Sequence, residues 1–350
     1  MLGVIADRLL GAVAAATGLA EAGAAACITL DTSPLPERTV PVLLAEPAGI
    51  VDAVSRLVQA GCKQVLATHN PGCTGPIGAL ADALVAALGT GFAVACPALP
   101  AAGFTLYQGY VFRRQALLAG AAPGDQSSYV RLLSLQSDGT VGLVPHGVVR
   151  AGASAIRAAL AGQREQGRRI AVIDALDEED LRTLGTALGG QAAVLGSPAL
   201  APFLVAGIGP PASLPARAGP AAILAGATSR TALFQAGSAR DRLPHAALSA
   251  ETLAWALPQL GDTPVLITPP PGPEPAAAFA ELAVALVQHG VHRLLVTGME
   301  TVPAVVAALG VTRLTPGPDG LWLNAERAGA PLVLALTDGD AGGRDLFLQA

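Results

Sequence analysis

The sequence is almost without lysine, because Lys63 is the only one in the chain. A P-loop of the Walker A type requires lysine between a glycine and a serine or threonine, whereas Lys63 lies between a cysteine and a glutamine. The P-loop class of nucleotide-binding protein is therefore excluded. A nucleotide phosphate bound by this chain would have to be held by backbone N–H groups, helix N-termini and arginine.

Aromatic residues and charged residues are also scarce. Aromatic residues make up 3% of a chain that is 52% hydrophobic, so we expect cores filled by alanine, valine and leucine, which suit helices packed on sheets. The net charge is -5 without a long run of one sign, which argues against nucleic acid or an anionic membrane surface as a partner. The four cysteines form no CxxC pair and are predicted to be reduced thiols.

The longest apolar stretch is too weakly hydrophobic to cross a membrane. Residues 9–30 include Glu21 and several glycines and alanines, whereas a spanning helix needs about 20 strongly apolar residues. We interpret the stretch as an amphipathic helix followed by a strand. The first residues also lack the basic region and cleavage site of a signal peptide, and we therefore expect a cytoplasmic protein.

Short β-branched or leucine-rich runs alternate with alanine-rich amphipathic stretches along all 350 residues. This alternation is typical of parallel βαβ units, and the length suits two domains. The predicted fold class is α/β, with two domains that each contain a mostly parallel sheet flanked by helices. We place the first domain at 1–208, a proline- and glycine-rich linker at 209–220, and the second domain at 221–350.

Four glycine-containing loops follow predicted strands, at 7–11, 69–78, 298–303 and 337–343. Ligands of open parallel sheets bind at the carboxyl ends of the strands, where helix N-termini point into the crevice. One such loop is weak evidence, because glycine also marks ordinary turns. The set of loops predicts a site for a small anionic ligand, most simply a nucleotide.

The loops belong to longer motifs that occur in a fixed order. Residues 7–12 read Asp-Arg-Leu-Leu-Gly-Ala, residues 75–78 read Gly-Pro-Ile-Gly, and residues 97–105 read Pro-Ala-Leu-Pro-Ala-Ala-Gly-Phe-Thr. In the second half, residues 298–301 read Gly-Met-Glu-Thr and residues 334–343 read Leu-Ala-Leu-Thr-Asp-Gly-Asp-Ala-Gly-Gly. Together these motifs resemble, in order, those of the four-carbon acid sugar kinases, also called DUF1537, which include the 3-oxo-tetronate and threonate kinases.

The resemblance implies a sugar-acid-binding domain followed by a nucleotide-binding domain, with ATP and Mg²⁺ used for phosphoryl transfer in carbohydrate metabolism. Asp7 is the implied catalytic residue, which would orient or deprotonate the accepting hydroxyl. The implied substrate-binding residues are Arg8, Asn70, Gly75, Gly78, Gly103 and Thr105. The implied nucleotide-binding residues are Ser229, Gly298, Met299, Glu300, Thr301, Gly339 and Gly342. No protein metal ligand is assigned, and a homo-oligomer is left open.

Departures from the family pattern fall mostly on polar positions. In the motif at residues 7–12, Arg8 replaces the second aspartate of the family pattern. Residues 70–72 (Asn-Pro-Gly) replace the family's Asp-Ser-Thr. Phe104 replaces an arginine whose planar fork would suit a carboxylate. Arg113 or Arg114 is a candidate substitute, although a solvated surface position is favoured for both. Two hypotheses therefore stand: a kinase with changed substrate preference, or a pseudokinase that binds nucleotide or metabolite without turnover.

Several acidic and metal-binding side chains have two interpretations. Asp7 is either a ligand-facing carboxylate or a helix N-cap, and Asp174 is favoured as a cap or turn residue. Glu300 could orient ribose or Mg²⁺, or only complement a helix dipole. His69 and Cys73 have the spacing of a metal clip but no second ligand pair, which favours a role in the loop itself.

Overall fold

The structure is a computed structural model that describes residues 1–118, 127–205, 219–272, 274–317, 321–340 and 343–349. The chain divides into two compact units. The first unit contains Met1–Ile28 and Ser33–Pro210, and the second contains Thr29–Thr32 and Pro211–Ala350. Most of the predicted linker, 209–218, lies outside the described residues, and the predicted domain limits stay a prediction.

The first unit is built on parallel strands. Its strands are β1 (Leu2–Ala6), β2 (Ala26–Thr29), β3 (Val40–Leu44), β4 (Gln64–Thr68), β5 (Ala93–Cys96), β6 (Phe104–Tyr107), β7 (Tyr110–Arg113), β8 (Ala116–Leu117), β9 (Val141–Val144), β10 (Ile170–Ile173) and β11 (Ala193–Gly196). The sheet order is β3-β1-β4-β11-β5-β10-β9, with each neighbouring pair parallel. Strands β6, β7 and β8 form a separate antiparallel sheet.

The helices of the first unit follow these strands. They are α1 (Leu9–Glu21), α2 (Ile50–Gln59), α3 (Ile77–Ala87), α4 (Tyr129–Gln136), α5 (His146–Arg150), α6 (Ala153–Glu165) and α7 (Glu178–Ala187). The core between them is mainly valine, leucine, isoleucine and alanine, as predicted, with Tyr129 fully buried among them. The only lysine, Lys63, is exposed just before β4, and its backbone N–H donates to the carbonyl of Met1.

The second unit has a mixed sheet. Its strands are β12 (Ala221–Ala225), β13 (His245–Ala247), β14 (Val265–Thr268), β15 (Arg293–Thr297), β16 (Arg313–Pro316), β17 (Leu323–Glu326) and β18 (Leu332–Thr337). The order is β13-β14-β12-β15-β18-β17-β16, and only the pairs that involve β17 are antiparallel. Its helices are α8 (Arg230–Arg240), α9 (Thr252–Ala256), α10 (Ala276–Gln288) and α11 (Thr301–Ala308).

The prediction of an α/β protein with mostly parallel strands flanked by helices is confirmed. Two predicted loop limits are wrong: α3 begins at Ile77 and α11 at Thr301, so Gly78 and Pro303 lie inside helices. Glycine and proline read as loop residues in sequence, but proline is tolerated in a first helical turn, where its missing N–H has no helical partner. Within the described ranges, no helix is both long and apolar enough to cross a bilayer.

Candidate functional site

Asp7 lies at the switch point of the first sheet. Strand β1 pairs with β3 on one side and β4 on the other. The connection after β1 runs through α1 toward β2 and β3, whereas the connection after β4 runs through α3 toward β5. The carboxyl ends of β1 and β4 therefore flank the place where open α/β sheets bind ligands. The pairing of Ala6 with Thr68 sets the next residues, Asp7 and His69, at the same edge.

The Asp7 carboxylate is partly buried but accessible to a ligand, since 28% of its side chain is exposed. Burial raises its pKa above the ordinary aspartate value, while nearby Arg8 and the backbone N–H groups of Arg8 and Asn70 act in the opposite direction. The Arg8 Nε lies 3.7 Å from Asp7 Oδ2. The N-cap interpretation of Asp7 is wrong, because Arg8 occupies that position of α1. An aspartate with a raised pKa in this place suits proton abstraction.

Sequence reasoning missed Thr68, the last residue of β4. Its side chain is 1% exposed, and its Oγ1 has no hydrogen-bond partner among the described residues. A methyl group placed on Gly11 would lie 3.6 Å from both Thr68 Oγ1 and Asp7 Oδ1. The hydroxyl and the carboxylate therefore border the same small space beside the first turn of α1. A polar residue closing a buried strand just before a loop was the signal that could have identified it.

The loop after β4 is held by its own hydrogen bonds. Asn70 Oδ1 accepts the backbone N–H of Gly72 at 2.7 Å, so this side chain closes an Asx turn. Gly75 has φ +97°, which favours glycine, and open space around its Cα. The backbone N–H of Gly78 donates to Gln136 Oε1 at 3.0 Å, and a Cβ on Gly78 would overlap the backbone of Gln136. Gly78 thus allows close packing of α3 against α4.

His69 and Cys73 each form hydrogen bonds within the first unit. His69 Nε2 lies 2.7 Å from the Tyr129 hydroxyl, and complete burial lowers the His69 pKa to about 4. Cys73 Sγ donates to the carbonyl of Pro71, and burial raises the pKa of Cys73 to about 12. The loop interpretation of this pair is therefore favoured. In the ranges that the structure describes, no three His, Cys, Asp or Glu side chains are placed to hold a metal ion.

Gly103 and Thr105 follow β5, which β11 separates from β4. Gly103 has φ +80°, and its carbonyl accepts the backbone N–H of Arg114. Thr105 lies in β6 opposite Phe112 of β7. The Arg113 guanidinium stacks over the Phe104 ring at 5.3 Å. A guanidinium is thus present beside the position where the family motif has arginine, although it comes from a neighbouring strand.

Asp174 serves the framework of this sheet edge. It is fully buried, and its carboxylate accepts the backbone N–H groups of Gln108, Gly109 and His146 at 2.7, 2.9 and 3.0 Å. Burial raises the Asp174 pKa, and these hydrogen bonds lower it in part. These contacts favour the interpretation of Asp174 as a cap or turn residue.

The second unit has an equivalent switch point between β12 and β15. The connection after β12 leads to β13, and the connection after β15 leads to β16 on the other side of the sheet. Ser229 Oγ caps α8 by accepting the N–H of Ala232 and donates to the carbonyl of Gly339 at 3.0 Å. A Cβ placed on Gly298 would lie 3.1 Å from Ala227 N, and a Cβ placed on Gly339 would lie 2.3 Å from Ala227 Cβ. Three of the predicted residues, Ser229, Gly298 and Gly339, therefore converge around Ala227.

The N-terminus of α11 already holds a carboxylate. Glu274 Oε1, from the proline-rich loop before α10, accepts the backbone N–H of Thr301 at 2.6 Å and that of Glu300 at 3.2 Å. Thr301 is fully buried, whereas Glu300 and Met299 are exposed. Helix N-termini bind anions, so the two amides form an anion seat, which we define as the N–H groups of Glu300 and Thr301. Sequence reasoning missed Glu274, whose only signal was an acidic residue among prolines.

The glycine-rich turn after β18 completes this side of the second unit. Asp338 is exposed, and its Oδ1 accepts the backbone N–H of Asp340. Gly339 has φ +90°, which favours glycine. Gly342 lies outside the described residues, so its predicted role stays a prediction.

The chain is similar to known proteins along its whole length. The family model described as the sugar-binding N-terminal domain matches residues 2–204. The 3-oxo-tetronate kinase of Cupriavidus necator is 33% identical over an alignment 425 residues long, gaps included. The alignment covers 100% of this chain and 96% of that relative. The 3-oxo-tetronate kinase of Escherichia coli is 32% identical over 91% of this chain and 97% of its own.

Two solved structures are similar to the chain along nearly its whole length. A Salmonella typhimurium protein described provisionally as a tRNA synthase is 29% identical, with a TM-score of 0.86 over 99% of this chain and 98% of that one. A Haemophilus influenzae protein of the DUF1537 family is 27% identical, with a TM-score of 0.80 over 99% of this chain and 98% of that one. The family match, these relatives and the ordered motifs together show that the chain belongs to the four-carbon acid sugar kinase family.

Proposed function

We propose that the protein is an ATP-dependent kinase of a small four-carbon sugar acid of the 3-oxo-tetronate or threonate type. The observation that carries the proposal is the convergence of Ser229, Gly298 and Gly339 around Ala227 at a switch point, in a chain whose full-length relatives are 3-oxo-tetronate kinases. Phosphoryl transfer depends on positioning and charge stabilisation. In this proposal the first unit binds the sugar acid and the second unit binds ATP.

The proposed sugar-acid site centres on Asp7. Its carboxylate would accept the proton of the attacking hydroxyl, since it is accessible and its pKa is raised. Backbone groups of the open glycine turn at Gly75 and the guanidinium of Arg8 or Arg113 would contact the substrate carboxylate. Asn70, Gly103 and Thr105 remain proposed substrate contacts, while Gly78 would act through helix packing.

The proposed nucleotide site fits an anion, because the anion seat holds a carboxylate oxygen of Glu274. ATP would supply the phosphoryl group, and Mg²⁺ would arrive with its phosphates, as expected for an ion that retains waters and needs few protein ligands. The metal could contact three exposed carboxylates that follow β15 and β18, those of Glu300, Asp338 and Asp340. Met299 and Gly342 stay proposed contacts of the nucleotide.

A pseudokinase is the second candidate, and one observation favours it. Asn70 stands where the family has aspartate, and its side-chain oxygen is used by the N–H of Gly72. Loss of one electrostatic contact to a transition state commonly costs about 10²–10³ in rate. Several such losses together would leave binding without useful turnover.

Thermal shift followed by ADP release separates these candidates. Mg-ATP and Mg-ADP are expected to raise the melting temperature, because a ligand bound only by the folded state stabilises it. ADP release is then measured against a panel of 3-oxo-tetronates, tetronates and threonates. Release with one of them supports the kinase, and stabilisation without release supports the pseudokinase. Absence of stabilisation by any nucleotide would contradict both.

Glu274→Gln is expected to tighten Mg-ADP binding about tenfold, which corresponds to about 1.4 kcal/mol. The glutamate oxygen occupies the anion seat, so it competes with a phosphate oxygen for the same two amides and repels its charge. Glutamine keeps the acceptor and removes the repulsion. Calorimetric titration measures the affinity, with Glu281→Gln as control, because Glu281 is an exposed carboxylate of α10. Equal or weaker affinity in the first variant would show that phosphate does not use this seat.

A further inference from the structure

The hydroxyl of Thr68 is a buried polar group that has no hydrogen-bond partner in the part of the chain that the structure describes. Thr68 closes β4, is 1% exposed, and has an Oγ1 that no described group contacts by a hydrogen bond. Buried polar groups are almost always paired, so an orphaned one calls for an explanation. Valine has nearly the same shape and would fill the same strand position without leaving a hydroxyl unpaired. The presence of threonine therefore suggests a use for the hydroxyl.

The Asp7 carboxylate borders the same space as the Thr68 hydroxyl. Asp7 Oδ1 and Thr68 Oγ1 both lie 3.6 Å from the position that a Gly11 methyl would take. Strand β1 pairs with β4 at Ala6 and Thr68, and Asp7 is the residue that follows Ala6. Gly11 places no side chain of its own between the two groups.

We propose that Thr68 is a positioning residue for Asp7: its hydroxyl donates a hydrogen bond to Asp7 Oδ1 and leaves Oδ2 to accept the proton of the substrate hydroxyl. The inference rests on the proposed kinase function. One proton moves, from the attacking oxygen to Oδ2, while the Thr68 proton stays on its own oxygen. A hydrogen bond to the charged form of a carboxylate favours that form, so Thr68 offsets part of the effect of burial.

Other charges around Asp7 are few. Arg8, directly before α1, is the charged residue that acts on Asp7, and α1 has no acidic residue in its first turn. The loop after β4 contributes the backbone N–H of Asn70. His69 in that loop is bonded to Tyr129, and its lowered pKa of about 4 keeps it neutral near pH 7. A change at Thr68 is therefore expected to act on Asp7 without another titrating group.

The test compares Thr68→Val, Thr68→Ser and Thr29→Val. Thr29 is the matched control, because its hydroxyl is also buried and has no hydrogen-bond partner in the described structure, and it lies in β2. The dependence of kcat/KM on pH is measured from ADP release. A general base is active only when it is deprotonated. The proposed hydrogen bond lowers the pKa of Asp7, so its loss raises that pKa and moves the acid limb of the pH profile to higher pH. Thr68→Val is expected to move it by about one pH unit, whereas Thr68→Ser and Thr29→Val are expected to follow the wild type.

The pKa of Asp7 is measured in parallel by carbon-13 NMR of aspartate-labelled protein, with Asp7→Asn used to assign the signal. This readout needs no turnover, so failure of the kinase proposal would leave it intact. An upward shift in Thr68→Val alone supports the inference. Identical Asp7 titration in Thr68→Val and wild type, or an equal shift in Thr29→Val, would overturn it.

Discussion

Asp7→Asn is expected to lower kcat/KM for sugar-acid phosphorylation by about 10²–10⁴-fold, the usual contribution of general base catalysis. The amide keeps the size of the side chain and its contacts near Arg8, but it cannot take a proton from the attacking hydroxyl. Steady-state ADP release measures the effect. The affinity for Mg-ADP is expected to stay within about twofold, because Asp7 belongs to the first unit and the proposed nucleotide site to the second.

Asp52→Asn is the matched control for this variant. Asp52 is an exposed aspartate in the first turn of α2, so the same chemical change there is expected to leave kcat/KM unaltered. Turnover by Asp7→Asn close to that of the wild type would remove Asp7 as the base. It would direct attention to a group that the substrate itself brings.

Gly339→Ala is expected to weaken Mg-ADP binding by at least about 30-fold. The residue has φ +90°, and its new Cβ would lie 2.3 Å from the Cβ of Ala227. Ala227 Cβ is attached directly to the backbone, so the turn after β18 must move as a whole. Overpacking of this kind costs about 1–3 kcal/mol, to which the strain of a left-handed backbone adds about 1–2 kcal/mol. Calorimetric titration measures the binding, and thermal unfolding shows whether the fold survives.

Gly343→Ala controls for the loss of a glycine in the same turn. A Cβ on Gly343 meets nothing within 4 Å, so this variant is expected to bind Mg-ADP like the wild type. If both variants bind equally well, the turn after β18 does not contact the nucleotide. If both lose binding, flexibility of the turn is what matters, and the contact with Ala227 is not the cause.

The parallel part of the fold was predictable from sequence because buried strands and amphipathic helices leave strong periodic signals. Strands such as β4 and β15 and helices such as α1 and α10 carry these signals. The strands β3 and β11 were missed, since Pro41 interrupts the first and the second is a short run of small residues. The antiparallel sheet of β6 to β8 was also missed, because its residues are partly exposed and lack strict alternation.

The site was predictable only where a motif carried it. Ser229, Gly298 and Gly339 lie far apart in sequence, and the ordered family motifs grouped them before the structure did. Glu274 and Thr68 were missed because their significance depends on spatial neighbours. For Glu274 these are two backbone amides 26 and 27 residues away, and for Thr68 the neighbour is the carboxylate that follows the adjacent strand β1. Single-sequence patterns do not report such contacts.

The position of Lys63 has a practical consequence for binding measurements. Lys63 is exposed directly before β4, and its backbone is bonded to that of Met1. The amine of Lys63, the only lysine, therefore lies at the end of the first sheet opposite its loop-bearing end. Amine coupling to a sensor chip, or attachment of an amine-reactive fluorophore, would tether the molecule by that end and leave the Asp7 side facing solution.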